Sequence, residues 1–320
     1  MRPNRALLAA AAVAVGGLAV TSARAAVPTP PPQPEAPAPA STGRHCLEET
    51  RTKIGMGHNL GGAINPLGAE QMLSLYLCVP LIREPGLFFD LTNVQVGLVN
   101  YLSPAYVHQG GYVEITPLSP LVLRAELTGV AMWPFPVRGA GYFAYDGYED
   151  DFQESTRPTD IARSAGGMIV TLSATLRARI GSPRGPGLIV VDTFIADRWS
   201  VGDESFSYNM RRDLIVAQQD WVIRNTGALI GEFPVTPDTS LRVGASDWLT
   251  TAPASGRVTN VLFGLASVRF LRVTPTVREV SPFVLMGAYT HHASSSQFRT
   301  AEPILMLGAS ASYELASFGP

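Results

Sequence analysis

Two cysteines in 320 residues are too few for a disulfide-built scaffold, and 24 basic against 26 acidic residues leave no electrostatic footprint for nucleic acid. Beyond the extreme N-terminus no apolar run approaches the roughly 18 residues that a membrane helix requires. There is no GxxxxGKS/T phosphate loop and no dinucleotide fingerprint, and His45, His58 and His108 are too scattered for metal-ligand spacing. No nucleic-acid partner, cofactor or metal is therefore expected. Helical periodicity is scarce from Gln71 onward. With 46% hydrophobic and 16% charged residues, the bulk of the chain is still too apolar to stay unfolded.

What is present begins with an address. Arg2 and Arg5, an apolar stretch from Ala6 to Val20 and Ala23-Arg24-Ala25 form the three parts of a secretory signal, which assigns residues 1–25 to a cleaved leader. Residues 26–50 contain VPTPPPQPEAPAPAST at 27–42, a Pro/Ala spacer that favours extended geometry and offers nothing to bury, and read as a disordered periplasmic tail. Export makes a Cys46–Cys78 disulfide possible; the alternative is two separate buried thiols.

Residues 51–320 alternate. Leu121, Leu123, Ala125 and Leu127 oppose Arg124, Glu126 and Thr128, and Val170, Leu172, Ala174 and Leu176 oppose Thr171, Ser173, Thr175, Arg177 and Arg179. Such segments run to ten residues or more, the length of a tilted membrane strand rather than of a sandwich strand. Tight links such as 83–86 and 182–187 alternate with long polar ones such as 134–166, the rhythm of short periplasmic turns and long outer loops. Eleven strands follow directly, among them Asp213 to Asn225. Lys53 to Ile64 supplies the first ascending strand and makes the count twelve, although ten or fourteen remain open. The expected fold is all-β: a closed antiparallel transmembrane barrel of the outer membrane. Its partners would be outer-membrane lipids, the barrel assembly machinery and small solutes or an extracellular ligand.

In this topology Tyr101, Trp133, Trp199, Trp248 and Tyr289 close ascending strands, which suggests an aromatic girdle at the outer rim. The inward-facing set would be Arg124, Glu126, Arg177, Arg179, Asp192, Arg198, Asp220, Arg224 and Arg242, lining either a water-filled pore or an interior closed by ion pairs. The last strand, GASASYEL at 308–315, resembles the terminal strand of Gram-negative outer-membrane β-barrel proteins as a general class. That resemblance implies the same compartment and the same closed barrel.

The outer segment GAGYFAYDGYEDDFQE at 139–154 interleaves aromatic rings with carboxylates but lacks EF-hand spacing, so it reads as an acidic loop lying on the barrel mouth. One motif carries chemistry. His292-Ala293-Ser294 sets an imidazole and a hydroxyl two residues apart, hence on one face of a strand. It resembles the His-x-Ser motif of outer-membrane phospholipase A and the lipid A deacylases, which implies His292 as base and Ser294 as nucleophile; Ser295 stands where those families usually carry an Asn. Pairing across the preceding hairpin would set Asn260 opposite His292 as the orienting third member. The primary functional expectation is non-catalytic, a passive solute pore or a surface-exposed binding or structural protein. The alternative is a rim-sited lipid acyl hydrolase.

Overall fold

The computed structural model describes residues 51–318 except 83–87, 90, 136–140, 151, 154–161, 183–184 and 295. The leader, the tail and Cys46 lie outside the described residues. Among the described residues fifteen strands are formed, twelve of them in one closed ring and three in a small separate sheet. The ring strands are β1 (Thr52–Ile64), β2 (Gly68–Pro80), β3 (Asn93–Ser103), β4 (Tyr106–Leu118), β5 (Leu121–Met132), β7 (Ala165–Gly181), β8 (Gly187–Val201), β11 (Trp221–Thr236), β12 (Thr239–Ala252), β13 (Arg257–Leu271), β14 (Val277–His291) and β15 (Pro303–Phe318). The small sheet is β6 (Ala144–Tyr145), β9 (Phe206–Asn209) and β10 (Leu214–Ala217), in the order β10-β9-β6.

Every ring strand pairs antiparallel with both neighbours, and the ring closes where β1 meets β15, from Thr52 opposite Phe318 to Ile64 opposite Leu305. Closure leaves no unpaired strand edge, the condition for placing a sheet in hydrocarbon. It also gives every residue a side. On β2, Leu73, Leu75, Leu77 and Val79 are exposed while Ser74, Tyr76 and Cys78 are buried, and on β3 exposed Val96 and Leu98 alternate with buried Gln95 and Val99. Moving one such exposed side chain from water into lipid contributes about 1.5–3 kcal/mol. The inner face is polar and paired. Glu232 receives Arg179 and Arg242 and has Arg269 nearby, and Glu314 receives Lys53 and Arg278. Cys78 faces inward and is fully buried; the expected pairing with Cys46 lies outside the described residues.

The long connections 133–164, 202–220 and 292–302 all leave one end of the barrel, here the loop end. The small sheet forms from the first two of them. The expected strand Asp213 to Asn225 is thereby corrected: its first residues belong to the β9-β10 hairpin, and the ring strand β11 starts at Trp221 and runs on to Thr236. An apolar cluster joins Leu214 and Val216 of β10 to Tyr106, Val130, Met132, Ile169, Trp199, Val201 and Val222 on the inner wall, so the mouth sheet is packed into the ring. At Gly202, where β8 leaves the wall, φ is +76° and a Cβ would lie 2.2 Å from the Tyr142 hydroxyl; only glycine permits that approach.

A direct check of the sidedness uses Leu98, at the centre of β3 and 65% exposed. Leu98→Arg should cost about 2–4 kcal/mol if that face meets lipid, and under about 0.5 kcal/mol if it meets water. Urea titration of the heat-modifiable folded band in detergent or lipid measures the difference.

Candidate functional site: the clamped mouth of the barrel

The turn between β9 and β10 carries three successive charges, Arg211, Arg212 and Asp213. Each charge reaches a different wall. Arg211 Nε lies 2.9 Å from Glu70 Oε2 on β2, and its guanidinium stands 4.3 Å over the Tyr101 ring. Arg212 Nε donates to Asp197 Oδ2 on β8 at 2.7 Å, while Thr171 donates to the other oxygen. Asp213 turns toward β14. Around the ring of twelve, these three walls stand five, three and four strands apart, so the hairpin is held as by a tripod. Arg224 of β11 fixes the turn from the side, donating to Thr250 Oγ1 at 3.0 Å and to the Arg211 carbonyl.

Asp213 is the densest junction. Its Oδ1 accepts the Tyr208 hydroxyl at 2.7 Å, and its Oδ2 accepts the Tyr289 hydroxyl at 2.9 Å and His292 Nε2 at 3.2 Å. Arg299 Nε makes an ion-pair contact with Oδ2 at 3.0 Å. Burial alone would raise this carboxyl, but the hydrogen bond from His292 and the Arg299 charge outweigh it and hold it well below the usual carboxylate range. An ionised carboxylate only accepts, so His292 must carry its proton on Nε2. In the neutral imidazole that leaves Nδ1 as acceptor for the Ser294 hydroxyl, 2.9 Å away. The backbone Ser294 N–H approaches the same nitrogen at 3.3 Å, and the Phe298 N–H donates to Ser294 Oγ at 3.3 Å.

The connectivity Asp213–His292–Ser294 is that of a hydrolytic triad. Its surroundings differ from those of a working one. His292 and Ser294 are 1% and 2% exposed, and the imidazole is flanked by the rings of Phe298 at 4.7 Å, Phe152 at 5.4 Å and Tyr289 at 5.5 Å. As it stands, the set joins the mouth sheet to the β14–β15 connection.

His292 and Ser294 are thus brought together, but Asn260 is not with them. A bulge between Asn260 and Val261 shifts the pairing, so Asn260 lies opposite His291 on the outer face, where it donates to Asp247 Oδ1 at 2.8 Å and meets Thr290. The third partner is Asp213, which strand pairing could not reveal because it arrives on a loop from across the mouth. The one sequence signal was the charged triplet Arg211-Arg212-Asp213 set directly before the short apolar run Leu214-Ile215-Val216-Ala217.

The lumenal set divides. Arg124, Glu126, Arg177, Arg179, Arg224 and Arg242 occupy the inner parity of their strands. Asp192 and Arg198 are corrected to the outer face: β8 buries Asp197 and Trp199 and exposes Asp192, Phe194 and Arg198, and Asp192 accepts the outward Asn225 amide at 2.8 Å. Asp220 stands in the connection before β11, where it accepts the Tyr148 hydroxyl at 3.0 Å. Burial, then the Asp220 carboxylate, push that hydroxyl up to about 12.

The girdle is corrected as well. Tyr101, Trp199, Trp248 and Tyr289 close ascending strands but point inward, where Tyr101 supports Arg211, Trp248 lies against Phe263, Trp199 donates to Ser207 of β9 and Tyr289 donates to Asp213. Trp133 alone of the five follows the exposed parity of its strand, and its indole donates to the Pro104 carbonyl at 2.7 Å. The acidic segment likewise turns inward. Phe143 and Phe152 are buried against Tyr208 and Ile215, Asp150 accepts the N–H groups of Asp146 and Gly147, and Glu149 pairs with Arg257.

No protein-family model matches the chain, and no curated protein does. Solved structures do match. Omp33 of Acinetobacter baumannii is similar over 83% of this chain and 99% of its own, at 12% identity and a TM-score of 0.35. OmpT, an outer membrane protein of Vibrio cholerae, covers 82% and 96% at 8% identity and 0.32, and OprD of Pseudomonas aeruginosa covers 87% and 96% at 7% identity and 0.30. All three are outer-membrane proteins, and the likeness is one of fold.

The clamp predicts a pH signature. A carboxyl held below its unfolded value of about 3.9 contributes stability that is complete above that value and lost as pH falls through the folded one. Hydrogen exchange across 206–217, corrected for intrinsic rates, should therefore stay flat from pH 8 to about 4 and accelerate below. Asp213→Asn should reduce that dependence to what the Arg212–Asp197 pair contributes and cost about 3–5 kcal/mol of local stability by removing the charged acceptor that Arg299 and His292 share.

Proposed function

We propose that the chain is an outer-membrane β-barrel with a non-catalytic role: a passage for small polar solutes, held shut at its loop end by its own mouth sheet. The carrying observation is the interior. Beneath the mouth sheet lies a cavity of about 400 Å³ lined by Glu114, Arg124, Arg177, Glu279, Gln95 and other polar residues, inside a ring whose outer face is a leucine and valine band. A polar, roomy lumen within an apolar exterior suits water and small solutes crossing a membrane. The connections 133–164 and 202–220, which build the mouth sheet, leave the same end of the barrel, as outer loops do in an outer-membrane orientation. Export by the leader at residues 1–25, assembly by the barrel machinery and contact with outer-membrane lipids belong to the same reading.

The mouth sheet sets the resting state. Two of its three anchors are arginine–carboxylate pairs, Arg211–Glu70 half-buried and Arg212–Asp197 buried, and breaking the second leaves buried charge unmatched, which holds the closed arrangement.

A second reading is supported by one specific observation, the Ser294–His292–Asp213 hydrogen-bond chain, with Asp213 in the position sequence pairing had given to Asn260. In that reading His292 takes the Ser294 proton, Asp213 steadies the resulting imidazolium, and the serine attacks a lipid ester at the rim. It requires the aromatic cover of Phe152 and Phe298 to move aside.

Two measurements separate the readings. In planar bilayers the wild-type protein should give no steady conductance, whereas Arg211→Ala/Arg212→Ala or the milder Glu70→Gln should give discrete steps; a folded, heat-modifiable variant with no current above leak defeats the passage. Ester release from labelled phospholipid in detergent, compared with Ser294→Ala, addresses the hydrolase, and equal rates dispose of it.

A further inference from the structure

The lumenal cavity carries four charged side chains, and three of them are matched. Glu279 accepts Arg269 Nη2 at 2.8 Å and the Ser281 hydroxyl at 3.1 Å. Glu114 accepts the Gln95 amide at 3.1 Å and lies 3.7 Å from Arg124. Arg124 in turn is bound to Glu126 at 2.7 Å and lies flat over the Tyr112 ring, 3.6 Å from its centroid. Arg177 differs. Its Nε donates to the Ser119 carbonyl at 3.2 Å, its Nη2 is a buried donor with no partner, and no carboxylate stands within ion-pair distance of it among the described residues. A buried donor on a permanent cation costs stability unless something occupies it.

The opposite wall has a matching deficit. Ser312 of β15 lines the same cavity, is 5% exposed, and its hydroxyl also lacks a partner. In the strand order β15 stands six positions from β7, diametrically across the ring from Arg177. Around Ser312 the wall presents further small polar groups, Asn59, Ser310 and Ser74. The cavity therefore offers one unmatched cation on one side and hydroxyl and amide groups on the other, in a volume within the range of about 300–1,000 Å³ typical of small-molecule sites.

We propose that this cavity is a binding site for a small hydroxylated monocarboxylate, its carboxylate on the Arg177 fork and its hydroxyl end toward Ser312. A guanidinium with spare donors recognises a carboxylate in the plane of its fork, which a point charge would not do. One ligand charge gives Arg177 the ion-pair contact it lacks. A dianion would meet the carboxylates of Glu114 and Glu279, and a neutral sugar would leave Arg177 as it is. The site specifies the solute class of the passage proposed above and rests on that reading only for its physiological use.

The test uses the folded full-length barrel in detergent and titrates gluconate, with glucose as the uncharged counterpart of similar size. Gluconate should bind at least tenfold more tightly than glucose. Arg177→Gln should weaken gluconate by at least tenfold and leave glucose unchanged, and Ser312→Ala should weaken gluconate about threefold, with heat-modifiable mobility confirming the fold of each. No gluconate binding, equal binding of the two probes, or unaltered affinity in Arg177→Gln overturns the site. Bilayer conductance keeps the two ideas apart: current through the mouth-released variants without gluconate binding removes the site and keeps the passage, whereas binding without current keeps the site and removes the passage.

Discussion

The structure depends on the closure of one hydrogen-bond ladder. Once β15 pairs with β1, every residue of the ring must choose between an enclosed interior and the surroundings, with no edge to serve as a third environment. The apolar outward series of β2, β3, β4 and β5 and the inward charges of β5, β7, β11 and β12 are two consequences of that division. Interior charges must then be matched to one another. Glu232 with its arginines and Glu314 with Lys53 and Arg278 do so at the turn end, and Arg211 and Arg212 with their carboxylates do so at the mouth.

The mouth sheet uses the same division in a different way. Near the loop end, the inner parity of several ascending strands is aromatic rather than charged, and those rings meet the underside of a sheet made from the long connections. Large inward aromatics at a rim therefore have a purpose unrelated to lipid headgroups: they give a loop something to pack on. Asp213 combines both modes, since one carboxylate accepts two tyrosine hydroxyls and an imidazole inside an aromatic enclosure.

Much of the ring was legible in the sequence because polarity and parity coincide on β5 and β7, where Arg, Thr and Glu alternate with Leu, Ala and Val. On β8 they do not. Ile189, Val191 and Ile195 face inward while Asp192 and Arg198 face outward, so the rule that charge points inside assigns that strand to the wrong parity. Outward polar groups survive there because they bond sideways to neighbours such as Asn225. Aromatic residues at strand ends misled for a related reason: position along a strand sets depth, but only parity sets side. His292 and Ser294 were legible because they stand two residues apart in the chain, whereas Asp213 lies 79 residues from His292 and meets it only after a loop has crossed the barrel.

A thin-walled tube of twelve strands resists axial load well but flattens readily, since shearing neighbouring strands past one another costs little until hydrogen bonds slip. The β9-β10 turn, tied to β2, β8 and β14, is a hub with three spokes across that tube. Its presence fixes the diameter along three directions at once. Releasing one spoke would let the rim become oval, and the shape of the opening would then answer to lateral pressure in the surrounding membrane.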